Sequence, residues 1–360
     1  MPLQFTPLRR SAFPIFIGGF KSDRMKKVSQ LGISLGLTFL VGYLIYRGVP
    51  DWGQAWRVMI QGRPPFLLAG FGFVMLHMLL RAMRWGVLLA PVKSAIALKN
   101  LFSLTLIKYV INVIPPRAGE VVASVVLAKK ENISTASVLA ASLLERILDV
   151  MTVVMIFGFY LSFFSHRYVP SSERGREIMA DVQDYSLKGF IVLCLGFVLL
   201  GYLLQTDKWL RRVPASLRKI VLPFLEGFRG LQRGGVLLRA VGLSLAIWIV
   251  ITLQLWCMLH AYLDKFPFAG ALFLMALTVV GVAIPTPGGV GGFQFFMNLA
   301  LVNFFADYLS SLDPHSQAAG ISNGSYVVSM VPVILIGLVF LNREGLSWSG
   351  VSRMATARQG

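Results

Sequence analysis

The sequence predicts an all-α polytopic membrane protein with about six transmembrane helices and two re-entrant helical hairpins, arranged as an inverted repeat. Three observations carry that expectation. The 360 residues are 56% hydrophobic and only 14% charged, against about 25% charged in soluble domains. Six apolar runs are long enough, or nearly so, to cross a bilayer. Two further apolar stretches are each interrupted by prolines followed by glycine.

The elements follow in chain order. Residues 1–27 form a basic segment expected on the cytoplasmic side, and without a small-residue cleavage site they read as retained rather than as a signal peptide. Spanning helices are expected over roughly 28–46, 65–80 (extendable to Trp85), 134–164, 187–205, 240–262 and 318–341. The stretch 96–128 is broken at Pro115-Pro116, and the stretch 268–306 at Pro285-Thr286-Pro287-Gly288-Gly289-Val290-Gly291-Gly292. Each arm is too short to cross comfortably, so both stretches read as hairpins that dip into the membrane and return. Such backbone is tolerated at depth only where protein or a cavity covers it.

The order span, span, hairpin, span then occurs twice. It fills 28–164 and again 187–341, with an extracytoplasmic loop at 165–186 and a cytoplasmic tail at 342–360. With both termini cytoplasmic, the inner segments hold 25 Lys and Arg and the outer ones eight, as the positive-inside rule requires. The formal charge of +18 is explained by this asymmetry. Trp52, Trp56, Trp85, Trp209 and Trp348 fall near expected span ends, where amphipathic rings anchor. Because the first repeat starts inside and the second outside, the two hairpins are expected to enter from opposite faces.

Charged residues inside apolar sequence mark the chemistry. Lys108, Arg117 and Arg146 balance Glu120, Glu145 and Asp149, and ions at membrane depth face one another or a polar pathway. Pro115 and Pro116 stop the incoming arm, and Gly119 lets the backbone reverse. Asn112 and Arg117 flank that turn, so the returning helix start and the Arg117 guanidinium are expected to meet an anion such as a lipid phosphate. Glu145 and Asp149 share a helix face, with Arg146 three residues before Asp149. Glu145 lies about 17 Å into its span at 1.5 Å per residue. One reading pairs Arg117 with Glu145 or Asp149, and Arg146 with Glu120, to hold the hairpin. The other makes these groups a polar route for a headgroup. The second break, with Pro285, Pro287, Gly288, Gly289 and Gly291, carries no charge. Its polar groups are Thr286, Gln294 and Asn298. Arg81, Arg84 and Trp85 end the second span, where interface anchoring or capture of anionic headgroups is expected.

Several function classes are excluded. No basic stripe with interleaved aromatics marks a nucleic-acid module. Cys194 and Cys257 lie in apolar runs and the four histidines are scattered, so neither a metal nor another cofactor is expected. Gly320-Ile321-Ser322-Asn323-Gly324 matches a nucleophile-elbow pattern but opens an apolar helix instead of following a strand. An enzyme is therefore not expected.

Four stretches carry a family resemblance: Arg81-Ala-Met-Arg84-Trp85, Asn112-Val-Ile-Pro115-Pro116-Arg117-Ala-Gly119-Glu120, Glu145-Arg146-Ile-Leu-Asp149 and Pro285-Thr-Pro287-Gly288-Gly289-Val-Gly291. In order and spacing the chain resembles the lysylphosphatidylglycerol synthase transmembrane, or flippase-like, family of bacterial inner-membrane proteins. Gln294 stands where that family often has an acid, and Ser325 ahead of Pro332 where many members have a basic residue. The resemblance implies a stand-alone member that moves a polar-headgroup lipid between leaflets without synthesising it. Its partners would be membrane lipids. The competing expectation is an accessory scaffold that recruits a lipid- or polysaccharide-synthesis enzyme.

Overall fold

Helix α1 (Trp52–Ile60) is short and runs directly into α2 (Pro64–Leu89), which opens with two prolines at positions that need no N–H partner. In this computed structural model the described residues are 49–113, 118–164, 235–284, 286–309 and 313–346, with scattered positions from 36 to 48 and from 173 to 195. Most of the expected spans 28–46 and 187–205 lies outside them, as do Pro115, Pro116, Arg117 and Pro285. After α2 come α3 (Leu98–Ile111), α4 (Ala118–Glu131), α5 (Thr135–Phe163), α6 (Val236–His260), α7 (Phe268–Ala283), α8 (Gly292–Phe304) and α9 (Pro314–Arg343). No strand occurs among the described residues.

Three of these helices, α2, α6 and α9, are long and apolar enough to cross a bilayer. The second span does not stop at Arg81 but continues to Leu89, because Trp85, Val87, Leu88 and Leu89 prolong the apolar face beyond the two arginines. Helix α5 has the length to cross but carries Glu145, Arg146 and Asp149 in its first half.

Helices α2 and α6 run antiparallel. Arg63 N–H donates to the Ala261 carbonyl at 2.9 Å at one end, and Arg84 reaches Ser244 near the other. Arg63 also bonds Asp264 at 2.8 Å and the Leu263 carbonyl at 2.8 Å. Helix α9 packs across this pair.

The two interrupted stretches form two pairs of short helices, α3 with α4 and α7 with α8. Their positions along α9 run in opposite senses. The start of α3 and the end of α4 lie at the C-terminal end of α9, where Glu344 accepts from Lys130 at 2.7 Å and from Ser103 at 3.2 Å. Further along α3, Leu106 and Val110 lie against Gly337. In α8, Asn298 Nδ2 donates to the His315 carbonyl at 2.9 Å, at the N-terminal end of α9. The two turns meet between these ends: Gly288 N–H donates to the Asn112 carbonyl at 3.4 Å, and Tyr326 OH donates to the Gly288 carbonyl at 2.7 Å.

At the base of α4, Lys93 and Asn100 both donate to Glu131, at 2.7 and 2.8 Å. These two hydrogen bonds, the Lys93 one first, hold its carboxyl below the usual carboxylate range.

Close backbone approach sets the geometry of both pairs. A Cβ on Gly119 would stand 2.2 Å from the Lys108 carbonyl oxygen, so α4 fits against α3 only with glycine there. In the second pair, a Cβ on Gly281 would meet the Gly292 oxygen at 2.2 Å, and one on Gly292 would meet the Gly281 oxygen at 2.1 Å. Without a hydrophobic drive between helices in lipid, this approach of small residues is what packs them. The turn between α7 and α8 needs positive φ at Gly288, Gly289 and Gly291.

Gly281→Ala should therefore lower thermal stability in detergent by about 1–3 kcal/mol, the usual range for overpacking. Gly242→Ala, on an exposed face of α6 with nothing within 4 Å, should instead gain up to about 1 kcal/mol from helix propensity. Thermal unfolding of the two purified variants checks both signs.

Candidate functional site

Helix α5 presents Glu145 and Asp149 one turn apart, and α2 brings Arg81 and Arg84 alongside them. Arg84 Nη1 donates to Asp149 Oδ1 at 2.8 Å and to Ser244 Oγ at 2.9 Å. Arg81 Nη1 donates to Asp149 Oδ2 at 3.3 Å, and the Trp248 indole N–H donates to Oδ1 at 3.2 Å. Asp149, 7% exposed, is thus held by three side chains from two helices. Arg84 and Trp85 are fully buried.

Glu145 serves α3. Lys108, in the last turn of α3, donates to Glu145 Oε2 at 3.4 Å, and its ammonium lies 3.4 Å from the centre of the Trp85 ring. A desolvated cation over an indole contributes about 2 kcal/mol. Arg84 Nη2 stands 3.9 Å from Glu145 Oε1, an ion pair without a hydrogen bond. Arg146, on the neighbouring face of α5, bonds Glu120 in the first turn of α4. That carboxylate also complements the positive end of α4.

Two residues on either side of the break after α3 bond each other. Asn112 caps α3, and its side-chain oxygen accepts from Gly119 N–H at 2.8 Å. One of the first N–H groups of α4 is therefore taken by Asn112 rather than left for an anion.

Of the expected site residues, Lys108, Glu120, Glu145, Arg146 and Asp149 are brought together with the turn residues Asn112 and Gly119. Arg117 lies outside the described residues, so its pairing is not part of this picture. The expected pair of Arg146 with Glu120 is present; the partners of Asp149 are Arg81 and Arg84. Arg81, Arg84 and Trp85 belong to the cluster rather than to an outer surface. With them, the described residues place four basic groups against three carboxylates. Four buried N–H donors in the cluster remain without acceptors, Arg81 Nε, Arg84 Nε, Arg84 Nη2 and Trp85 Nε1, against one buried acceptor without a donor, Glu120 Oε2.

Gln294 is placed elsewhere, at the start of α8, where its Oε1 accepts from Gly291 N–H at 2.8 Å. Sequence reasoning missed Ser244, Trp248 and Tyr326. A serine and a tryptophan four apart, and so on one face of α6, were the available signal for the first two. Among the described residues, no group of histidine, cysteine and acid side chains is arranged to hold a metal.

Removing one member of a buried ion pair strands the other. Arg84→Met and Asp149→Leu should each cost about 3–5 kcal/mol, while the double variant should lose much less than the sum. Chemical or thermal unfolding of the four proteins in one detergent measures this coupling.

The match to known proteins spans this whole assembly. A family model described as the lysylphosphatidylglycerol synthase TM region covers residues 29–312. A UPF0104 membrane protein of Methanocaldococcus jannaschii is 24% identical over 338 residues, 88% of this chain and 96% of that protein. The matched region contains the ion cluster and both turns. This chain is a membrane protein, and it belongs to the lysylphosphatidylglycerol synthase TM region family.

Proposed function

We propose that the protein moves a lipid with an anionic or otherwise polar headgroup between the leaflets of its membrane, without catalysing a reaction. The observation that carries this reading is the surplus of buried N–H donors in the ion cluster. Polar groups that are buried and unpaired cost about 1–3 kcal/mol each, so they persist where something is to be bound. Four cations against three carboxylates leave room for one more anionic oxygen, and a phosphate offers several. Arg84 and Arg81 present guanidinium forks, which match phosphate geometry better than an ammonium does.

In this reading α3 and α4 form one re-entrant hairpin, and α7 and α8 the other, entering from opposite faces. Their turns meet near the membrane midplane, where transporters of inverted-repeat design place their substrate. The headgroup would exchange with Glu145 and Asp149 for the basic side chains, while the acyl chains stay in lipid. Arg117, beside the first turn, would add a further phosphate-binding fork. The contact between Gly288 and Asn112 would part or shift as one hairpin rocks against the other. Entry requires such opening, because the unpaired donors are closed off from solvent.

The test is transbilayer movement of fluorescent lipids in proteoliposomes, read by bleaching of the outer leaflet. Arg117→Ala should slow it about tenfold, which is ~1.4 kcal/mol of barrier, with an unfolding temperature close to wild type, whereas Glu145→Gln, which also strands Lys108, should both slow it and lower the unfolding temperature. Wild-type vesicles no faster than protein-free ones would defeat the reading.

A further inference from the structure

A cleft with a mostly apolar wall and several uncharged polar side chains lies apart from the ion cluster, and its chemistry is different. About 170 Å³ in volume, it lies half open between α8, the first turns of α9 and the backbone at Gly48 and Val49. Its polar lining is Gln294, Asn298, Asn303, His315, Ser322 and Asn323, and none of its side chains is an acid, a lysine or an arginine. Phe295 and Leu299 supply an apolar wall.

Part of this polar lining is committed to the fold. Asn298 Nδ2 holds the His315 carbonyl, and its oxygen faces His315 Nδ1 at 3.3 Å. Ser322 donates to the Ala319 carbonyl at 3.0 Å. Two amides keep unspent capacity. Gln294 uses its oxygen on Gly291 N–H, while its NH₂ has no partner among the described residues. Asn323 makes no hydrogen bond there with either its oxygen or its nitrogen. A carboxamide offers a donor and an acceptor side by side, which suits hydroxyl groups that both give and take a hydrogen bond. An anion would find donors but no balancing charge, so phosphate belongs to the other cluster.

We infer that this cavity binds an uncharged, hydroxyl-bearing group of polyol type, with Asn323 and the Gln294 NH₂ on its hydroxyls and Phe295 and Leu299 against its C–H face. A polyol joined to an acyl chain and a free polyol share this chemistry. The inference rests on the lipid-transport reading for the acyl-linked form, and it adds a second, neutral recognition point at the end of α9 remote from Glu344.

Binding in detergent tests it without any transport measurement. Purified protein is titrated with monodecanoylglycerol, with methyl decanoate (the same chain lacking free hydroxyls) and with glycerol, using native mass spectrometry. Wild type should bind monodecanoylglycerol at least about tenfold more tightly than methyl decanoate, and Asn323→Leu should abolish that difference. Asn323→Ala, which intrudes less, should lower the preference in the same direction, and unfolding temperatures establish that both variants are folded. Glycerol competing at equal concentration would support the polyol site and assign it to a soluble ligand. Equal binding of the two decanoyl probes, or a preference unchanged in both variants, overturns the inference. Failure of lipid movement in vesicles with the preference intact would sink the transport reading and leave the polyol site standing.

Discussion

Asp149 is held inside this helix bundle above all by Arg84, whose hydrogen bond is shorter than those from Arg81 and Trp248. Asp149 and Arg84 are both buried, and an isolated charge in such surroundings costs several kcal/mol even after relaxation. Their bond at 2.8 Å ties α5 to α2, and the same guanidinium nitrogen ties α2 to α6 through Ser244. Three helices distant in sequence are thereby fixed in rotation as well as in position. Apolar packing alone would fix them less sharply, because one aliphatic face slides over another at small cost in lipid. The pair α3 and α4 is hung on this frame by Lys108 and Glu120, each bonded to α5.

The two pairs of short helices are built by different means. The first is held by ions: Lys108, Glu120 and the clasp of Glu344 on Lys130 and Ser103. The second is held by backbone contact between Gly281 and Gly292 and by aromatic packing of Phe273 against Phe304 and Phe305. Ionic links can be exchanged for a ligand of the right charge, whereas glycine contacts and ring contacts have no such substitute. In the lipid-transport reading, the first hairpin would be the one that answers the headgroup.

Much of this was legible in the chain. Prolines followed by glycine marked both breaks, because these residue types change backbone geometry whatever surrounds them. The spacing of Glu145, Arg146 and Asp149 placed Glu145 and Asp149 on one face, and Arg146 indeed reaches Glu120. The role of Arg81 and Arg84 was not legible. Hydropathy reads an arginine as the end of a span, and only a partner on another helix shows that it lies within one. Trp248 and Ser244 were hidden for the same reason, since their meaning comes from Asp149, about a hundred residues away in sequence. The chemistry of the cavity beside α8 was visible as scattered amides, but not their convergence.

Neither Gly281 nor Gly292 has an atom left to surrender. In an ordinary core, a residue that grows can be accommodated when its neighbour shrinks, so sequences wander through paired changes. Here each position already holds the smallest residue available, and the opposing surface is main chain. Enlargement at one site finds no answering reduction at the other, and drift by small compensated steps is closed at this joint. The amides around the nearby cavity are under no such restriction, so ligand preference is free to diverge while the joint stays as it is.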